Sequence, residues 1–253
     1  NSDDILALKE LPQNILIIGS GAIGVEWARI MAAFDVEVSI IEMAEHLLPL
    51  ADIEVSKRVE RIFKTKKIKT YLSNSVEKIE DKSVYLKSGE ILTPECVLLA
   101  VGRKPIEGCE TIIGDASGEI QLAHFAIKQA VEEVEGIEFN KKFVPSVVYG
   151  CPEIAWIGQR EQDLQEGTYQ KSNILISALG KSHCDNCTDG FIKILSQNEK
   201  IVGAHIVSKE ASALIQQLTI AMQNNVSIDD LKKVCFAHPT YSEGIFESLF
   251  NLK

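Results

Sequence analysis

The feature that most constrains the fold is a glycine-rich turn between an apolar run and an amphipathic stretch. Residues 14–18 are Asn-Ile-Leu-Ile-Ile, and Gly19-Ser-Gly-Ala-Ile-Gly24 follows at once, matching G-x-G-x-x-G. Helical spacing continues to about residue 34, and a second apolar run, 36–41, ends at Glu42. An apolar strand, a glycine turn, a helix and another apolar strand predict a parallel βαβ unit with both sheet faces covered.

Each glycine of this turn has a predicted task in holding a dinucleotide. Gly19 permits the tight turn, Gly21 lets a pyrophosphate approach the backbone, and Gly24 lets the helix pack closely on the strand. The helix start, with Ala22 and Ile23, supplies N–H donors and partial positive charge to the phosphates. A purely structural turn is the alternative, because the motif alone is a weak signal. Its position between a strand and a helix, with an acidic residue at the end of the next strand, favours dinucleotide binding.

Glu42 is the expected contact of the adenosine ribose. It stands 21 residues after Gly21, close to the spacing of about 20 typical of dinucleotide-binding folds. A carboxylate there can accept hydrogen bonds from both ribose hydroxyls and repels a 2′-phosphate. Residues 43–50 contain no Arg that would bind such a phosphate. The pattern therefore favours NAD over NADP.

The rest of the chain predicts a second region of different character. The expected elements are a helix over 52–67, a meander of short strands over 70–91, a buried strand at 96–101, a helical piece around 126–134, a strand at 147–149, a hairpin of strands 191–195 and 201–207, and helices at 209–224, 227–234 and 241–252. Strands followed by helices predict an α+β domain in the C-terminal part.

Composition excludes several classes of partner. A net charge of −10 and a pI near 5.1 disfavour nucleic acid and anionic membrane surfaces, which require clustered Lys and Arg. No apolar run approaches the roughly 20 residues of a membrane span, and no signal peptide is expected at the start. The six cysteines are scattered, unlike a secreted disulfide framework. These observations predict a cytoplasmic protein.

Cys184-Asp-Asn-Cys187 is the one C-x-x-C pattern in the chain. Such a pair can bind zinc or act in redox chemistry, but a zinc site needs about four ligands and only His183 stands nearby. A polar loop before a strand is expected here, away from any helix start that would lower a thiol pKa. We therefore predict no metal site.

The run Ala237-His-Pro-Thr-Tyr-Ser-Glu243 places a Glu five residues after a His, around a Pro-Thr corner. A carboxylate on one imidazole nitrogen fixes the tautomer and raises the basicity, which leaves the other nitrogen free for proton transfer. A structural His is equally compatible with this pattern on physical grounds.

These motifs resemble those of the dihydrolipoamide dehydrogenase branch of the class I pyridine nucleotide-disulfide oxidoreductases. The resemblance implies that His238 is the acid/base and that Glu243 orients it. Ser242-Glu-Gly244 and the NAD-type Glu42 resemble the lipoamide branch more than the glutathione or mercuric reductases.

Further matches run along the chain in the family's order. By resemblance, Glu26 lies by the nicotinamide, and Val76 and Gly102 join the NAD-binding residues, Gly102 in a Val-Gly-Arg-Lys-Pro run that closes the NAD domain. The run Ile113-Gly-Asp115 resembles the motif whose Asp binds the flavin ribityl chain. Leu122, Ala123 and His124 resemble the run that lines the isoalloxazine ring.

The resemblance implies an α/β fold of three regions: a Rossmann-like NAD-binding domain at 1–105, a remnant of the FAD-binding domain at 106–136, and an α+β dimerisation domain at 137–253. It implies NAD and FAD as cofactors and a homodimer whose partner subunit supplies the His–Glu pair. It also implies lipoyl domains of 2-oxoacid dehydrogenase complexes or the glycine cleavage system as partners. A eukaryotic protein would lie in the mitochondrial matrix.

The departures from the family concern the redox centre. No two cysteines have the family's C-x4-C spacing, the family's N-terminal flavin half is not among these residues, and the stretch between Pro105 and Ile112 is short. We therefore expect this polypeptide to be inactive by itself, or to bind only NAD. The alternatives are a dimerising module without catalysis and another disulfide reductase, of the glutathione or mercuric type.

Overall fold

The structure is a computed structural model that describes residues 1–106 and 112–253. Most of the short stretch between Pro105 and Ile112, including Cys109, lies outside the described residues. The helices are α1 (Ser2–Leu6), α2 (Ala22–Ala33), α3 (Ile53–Thr65), α4 (Ala123–Glu135), α5 (Gly180–Cys184), α6 (Ala211–Gln223), α7 (Ile228–Lys232) and α8 (Glu243–Phe250). The strands are β1 (Asn14–Ile18), β2 (Glu37–Ile41), β3 (Lys69–Tyr71), β4 (Val76–Glu80), β5 (Ser83–Leu86), β6 (Ile91–Leu92), β7 (Cys96–Leu99), β8 (Ser146–Val148), β9 (Glu153–Gly158), β10 (Gln170–Leu175), β11 (Phe191–Gln197) and β12 (Lys200–Ser208).

A four-stranded parallel sheet with the order β3-β2-β1-β7 forms the centre of the N-terminal part, residues 1–106. The predicted βαβ unit is confirmed, with α2 crossing between β1 and β2. The prediction of a meander over 70–91 was wrong at its start, because β3 pairs in parallel with β2 at the edge of this sheet. The meander consists of β4, β5 and β6 alone.

The apolar run of β1 is continuous because both faces of the sheet are covered. Ile15 and Ile17 belong to the core that α2 and α3 cover. Leu16 points to the opposite face, where it packs in a second cluster with Val84 and Leu86 of the meander. Successive side chains of a strand alternate between faces, so a strand that is buried on both sides needs apolar residues at every position.

The C-terminal part, residues 137–253, is built on a five-stranded antiparallel sheet with the order β10-β11-β12-β9-β8. The predicted hairpin is confirmed, and its strands are longer than expected. Only Asn198 and Glu199 remain in the turn, and both have positive φ values, 48° and 60°. Two residues with positive φ are the tight connection that matches the twist of paired strands.

The three predicted C-terminal helices are present as α6, α7 and α8, each shorter than its pattern. Ser227 caps α7 as expected, because its side chain accepts a hydrogen bond from the N–H of Asp230. The apolar faces of α6 and α8 are largely buried within the chain, against its own sheet. Ile220 and Phe250 are the large apolar residues of these helices that stay exposed.

In chain order, α4 lies between β7 and β8, and it is longer than the helical piece expected around 126–134. The described residues of the 106–136 region otherwise contain one short 3-10 turn, Gly114–Ser117, and no strand. A helix that crosses a membrane needs about 20 residues. Among the residues that the structure describes, no helix is long and apolar enough to do so.

Candidate functional site

The glycine turn joins β1 to α2 with close contacts at two of its three glycines. Gly19 has φ +99°, and a Cβ placed there would lie 2.5 Å from the carbonyl oxygen of Ala100. A Cβ at Gly24 would lie 2.0 Å from the carbonyl oxygen of Gly19. The tight turn and the close packing of helix on strand therefore both require glycine at these positions.

Gly21 differs from its neighbours because nothing in the protein requires it to be glycine. Its φ of −65° and ψ of −175° suit any residue, and a Cβ there would meet no atom within 4 Å. Gly21 is also the N-cap of α2 and provides no side-chain acceptor for the first N–H groups of the helix. The turn thus presents free backbone donors at an open face, which suits the approach of a phosphate group.

Glu42 lies just beyond the end of β2 and is held by three hydrogen bonds. Its Oε2 accepts from the N–H and the Oγ of Ser20, both at 2.8 Å, and its Oε1 accepts from the N–H of Ala44 at 2.9 Å. Partial burial alone would raise the pKa of Glu42, but these hydrogen bonds outweigh it and the pKa is lowered. The carboxylate is therefore ionised and oriented, with acceptor capacity left on Oε1.

A cleft of about 900 Å³ joins the glycine turn to Glu42, a volume within the range of sites for small ligands and cofactors. The sequence-predicted residues that line it are Gly19, Gly21, Ala22, Ile23, Glu26, Glu42, Val76, Gly102, Leu122 and Ala123. The lining residues that the sequence did not indicate include Met43, Pro49, Leu50, Asn74, Ser75, Gln121 and Val147. Gly24 does not line the cleft, and a Cβ there would face the carbonyl oxygen of Gly19.

Glu26 connects the cleft to the C-terminal part. Its Oε1 accepts a hydrogen bond of 2.8 Å from the N–H of Tyr149, at the end of β8. Burial raises the pKa of Glu26, although this hydrogen bond and the nearby Arg29 oppose the shift. One turn along α2, Arg29 donates to the carbonyl oxygen of Pro152 at 2.6 Å. Helix α2 is thus joined to the β8–β9 hairpin by two polar contacts.

The residues expected to hold a flavin do not all face this cleft. Asp115 and His124 are not among the residues that line it. Arg103 donates to Oδ2 of Asp115 at 3.3 Å, while Oδ1 is buried without a hydrogen-bond partner. Such an oxygen suits a hydroxyl donor. His124 Nε2 lies 2.7 Å from the carbonyl oxygen of Pro145, and the ring lines a second cavity of about 530 Å³ with Phe125.

His238 and Glu243 form the hydrogen-bonded pair that the sequence suggested. Nδ1 of His238 lies 2.8 Å from Oε1 of Glu243, and the N–H of Thr240 donates to Oε2 at 2.9 Å. The hydrogen bonds from His238 and Thr240 lower the pKa of Glu243. The His238 side chain is 77% exposed, so Nε2 is accessible. The pair does not line the cleft of its own chain.

The C-x-x-C stretch is not the plain loop that we expected. Cys184 is the last residue of α5, and Asp185 caps the C-terminal end of that helix. His183 Nε2 lies 2.8 Å from the carbonyl oxygen of Ser177. Over the described ranges, no three or more His, Cys, Asp or Glu residues are grouped so that they could hold a metal ion.

Two models of one family match the chain. A model of the pyridine nucleotide-disulphide oxidoreductases matches residues 1–112, which contain the glycine turn and Glu42. A model of the dimerisation domain of the same family matches residues 144–249, which contain the His238–Glu243 pair. The chain belongs to this family. Its dihydrolipoyl dehydrogenases use FAD and NAD.

Curated relatives of the chain are dihydrolipoyl dehydrogenases. The dihydrolipoyl dehydrogenase of Buchnera aphidicola is 33% identical over 292 residues, which cover 97% of this chain and 61% of the relative. The mitochondrial dihydrolipoyl dehydrogenase of Sus scrofa is 29% identical over 296 residues, which cover 98% of this chain and 58% of the relative. The chain therefore spans about three fifths of the length of these relatives.

Solved structures of the family share the fold. The flavoprotein disulfide reductase RclA from Escherichia coli superposes with a TM-score of 0.86 at 23% identity, covering 98% of this chain and 67% of that protein. LpdA from Mycobacterium tuberculosis gives a TM-score of 0.86 at 20% identity, covering 96% of this chain and 62% of that protein. The α/β fold class predicted from the sequence is confirmed.

Sequence reasoning missed Ser20 and the segment after Glu42. Ser20 stands inside the glycine motif, and a hydroxyl so close to the end of the next strand could have been recognised as a partner for Glu42. Val147 carried no such signal, because its place at the cleft depends on how the C-terminal part packs against α2.

Proposed function

We propose that this chain binds NAD(H) in the cleft and forms the nucleotide-binding and dimerisation part of an enzyme of the dihydrolipoyl dehydrogenase type. The observation that carries the proposal is that Gly21 and Glu42 line the same cleft. Gly21 is open to the cleft and needed by no internal contact, while Glu42 is an oriented carboxylate lining the same cleft.

In this proposal the pyrophosphate lies at the start of α2, over Gly21, and the adenosine ribose donates to Glu42. The nicotinamide lies toward Glu26, along the part of the cleft that Val101 and Gly102 also line. FAD would be held by Asp115 and by the start of α4. The buried, unpartnered Oδ1 of Asp115 supports this assignment, because it would satisfy a ribityl hydroxyl.

His238 and Glu243 are the proposed acid/base pair of the complete enzyme. Bound FAD and NAD would supply the two-electron chemistry by which a dihydrolipoamide is oxidised. The chain's own contribution is to accept a thiol proton at Nε2 of His238. Glu243 holds the imidazole through Nδ1, which fixes the tautomer and stabilises the protonated ring.

We propose a homodimer in which this pair serves the cofactor site of the partner subunit. Its exposed position and its separation from the cleft of its own chain support that arrangement. The proposed domains remain 1–105, 106–136 and 137–253. The proposed partners are lipoyl domains of 2-oxoacid dehydrogenase complexes or the glycine cleavage system, in the cytoplasm or, in a eukaryote, the mitochondrial matrix.

Calorimetric titration of the chain with NADH and, separately, NADPH tests the proposal. We expect saturable binding of NADH and weaker binding of NADPH, because the ionised Glu42 repels a 2′-phosphate. A dimer that binds neither nucleotide would instead identify the chain as an interaction module with a structural glycine turn.

A further inference from the structure

Residues 43–52, which we term the cleft segment, form part of the cleft wall without belonging to a helix or strand. Met43, Pro49 and Leu50 of this segment line the cleft. A backbone outside regular structure has no ladder of hydrogen bonds to fix it, so its conformation depends on contacts with other parts of the chain.

The cleft segment also determines how Glu42 and the glycine turn are held. The N–H of Ala44 donates to Glu42 Oε1 at 2.9 Å, and the N–H of Leu48 donates to the carbonyl oxygen of Ser20 at 3.1 Å. A displaced segment would therefore change the orientation of the carboxylate that faces the ribose.

Side chains of the C-terminal part that do not themselves line the cleft bind the cleft segment. Arg160 donates to the carbonyl oxygen of Pro49 at 3.0 Å. Gln162 donates to the carbonyl oxygen of Ala51 at 3.1 Å and accepts from the N–H of Ile53 at 3.2 Å. These contacts join positions more than a hundred residues apart. The conformation of the nucleotide cleft thus depends on the other part of the chain.

A buried ion pair lies at the end of the cleft segment. Lys193 Nζ donates to Asp52 Oδ1 at 2.8 Å and to Glu161 Oε2 at 2.5 Å, with Glu54 Oε2 at 3.3 Å. The N–H of Glu161 donates to the other oxygen of Asp52 at 2.9 Å. His205 Nε2 lies 3.8 Å from that same oxygen. The side chains of Lys193 and Asp52 are 1% and 0% exposed.

A charge buried this completely is costly unless its partner is held in one geometry, so the pair is sensitive to any displacement of Asp52. Neither Lys193 nor Asp52 lines the cleft. We propose that Lys193 and Asp52 are positioning residues, which fix the cleft segment for the adenosine half of the dinucleotide. The inference rests on the proposed function, namely that the cleft binds NAD(H).

The test is a double variant of the full chain, Lys193→Met with Asp52→Asn. Removing both charges leaves no unpaired buried ion, Asn can still cap α3, and Glu161 keeps its hydrogen bonds from Lys171 and Tyr169. We expect NADH to bind about three- to thirtyfold more weakly, the range for residues that act through a network without touching the ligand. The preference for NADH over NADPH should narrow, because Glu42 is held less firmly.

The matched control is Arg58→Met. Arg58 lies on α3 and pairs with Asp189 of the C-terminal part, so it joins the same two parts without touching the cleft segment. We expect wild-type NADH affinity and nucleotide preference for this variant. An equal loss in the control would show that general docking of the two parts matters, and would overturn the proposal.

Arg160→Ala provides a second test in case the double variant does not fold, because Arg160 is a partly exposed contact of the same segment. It should weaken NADH and narrow the preference in the same direction, and hydrogen exchange should rise at residues 43–51 but not in β1. Unchanged NADH affinity and nucleotide preference in the folded double variant, or in Arg160→Ala where the double variant does not fold, would overturn this inference while leaving the proposed function intact. Failure of the wild-type chain to bind NADH would overturn both.

Discussion

Ser20 and Glu42 are joined by two hydrogen bonds, from the N–H and from the Oγ of Ser20 to Oε2 of Glu42. One residue lies in the glycine turn and the other at the end of the next parallel strand. The two contacts fix the phosphate-binding turn and the ribose-binding carboxylate relative to each other before any ligand arrives. Donors and acceptors that are already in place reduce the ordering cost of binding.

Glu42→Arg should reverse the nucleotide preference. The substitution replaces an oriented acceptor by a cation that favours a 2′-phosphate, so the NADH-to-NADPH affinity ratio should fall by about 10- to 100-fold, the worth of a hydrogen bond to a charged group. Calorimetry with both nucleotides measures the ratio. Glu166→Arg makes the same change of charge at an exposed position of the C-terminal part, outside residues 43–52 and away from the cleft lining, and should leave the ratio unchanged. An unaltered ratio in Glu42→Arg would remove this residue from the ribose site.

Gly21→Val and Gly24→Val should have opposite effects. A side chain at Gly21 meets no protein atom but fills the open face of the turn, so thermal stability should be retained while NADH binding is lost. At Gly24 a Cβ would collide with the Gly19 carbonyl oxygen, so the variant should lose about 1–3 kcal/mol of stability or fail to fold. Thermal unfolding and NADH titration of both variants measure the difference. Unchanged NADH affinity in Gly21→Val would contradict the nucleotide site.

The residues changed in these two predictions, Gly21, Gly24 and Glu42, could all be recognised from the sequence alone. The βαβ unit, the glycine turn and the β11–β12 hairpin follow from local patterns: continuous apolar runs, glycine spacing and a short polar break between two apolar runs. Each of them is determined by residues that are close together along the chain, which is why a single sequence can reveal them.

The Lys193–Asp52 pair shows what local patterns do not reveal. Asp52 was recognisable only as the start of a helix, which it also caps. Lys193 sits within an apolar strand, and its partner lies 141 residues away. Their contact depends on how α3 packs beside β11 and β12, and neither hydrophobic periodicity nor motif spacing encodes that packing.

Acid should destabilise the chain through His205. Complete burial lowers the pKa of His205 to about 4, whereas an unfolded histidine titrates near 6.5. Between these values the unfolded state binds a proton that the folded state does not. Stability should therefore be insensitive to this group above pH 6.5, and should fall by up to about 3 kcal/mol as the pH decreases to 4.

Urea unfolding between pH 4 and 7 measures that slope. His205→Gln removes the titrating group and keeps a side-chain donor near the carbonyl oxygen of Gln159, so it should flatten the slope over this range. His183→Gln is the control, because His183 is exposed and should leave the slope as in the wild type. Below pH 4 both variants should still lose stability, since Glu161 has a pKa lowered to about 2, against burial, by its hydrogen bonds from Lys171 and Lys193.

His238→Ala should separate chemistry from assembly. The His238 ring is largely exposed and is hydrogen-bonded to Glu243 rather than packed in the core. The variant should therefore keep the wild-type NADH affinity. It should also keep the wild-type sedimentation coefficient, which we expect to be that of a dimer. In the complete enzyme, with the flavin half and its redox cysteines present, the same change should lower dihydrolipoamide turnover by about 10²- to 10⁴-fold, because a positioned acid/base is lost. Glu243→Gln keeps the imidazole but replaces the carboxylate, so it should cost less and shift the pH profile of turnover. Near wild-type turnover in His238→Ala would return this residue to a structural role.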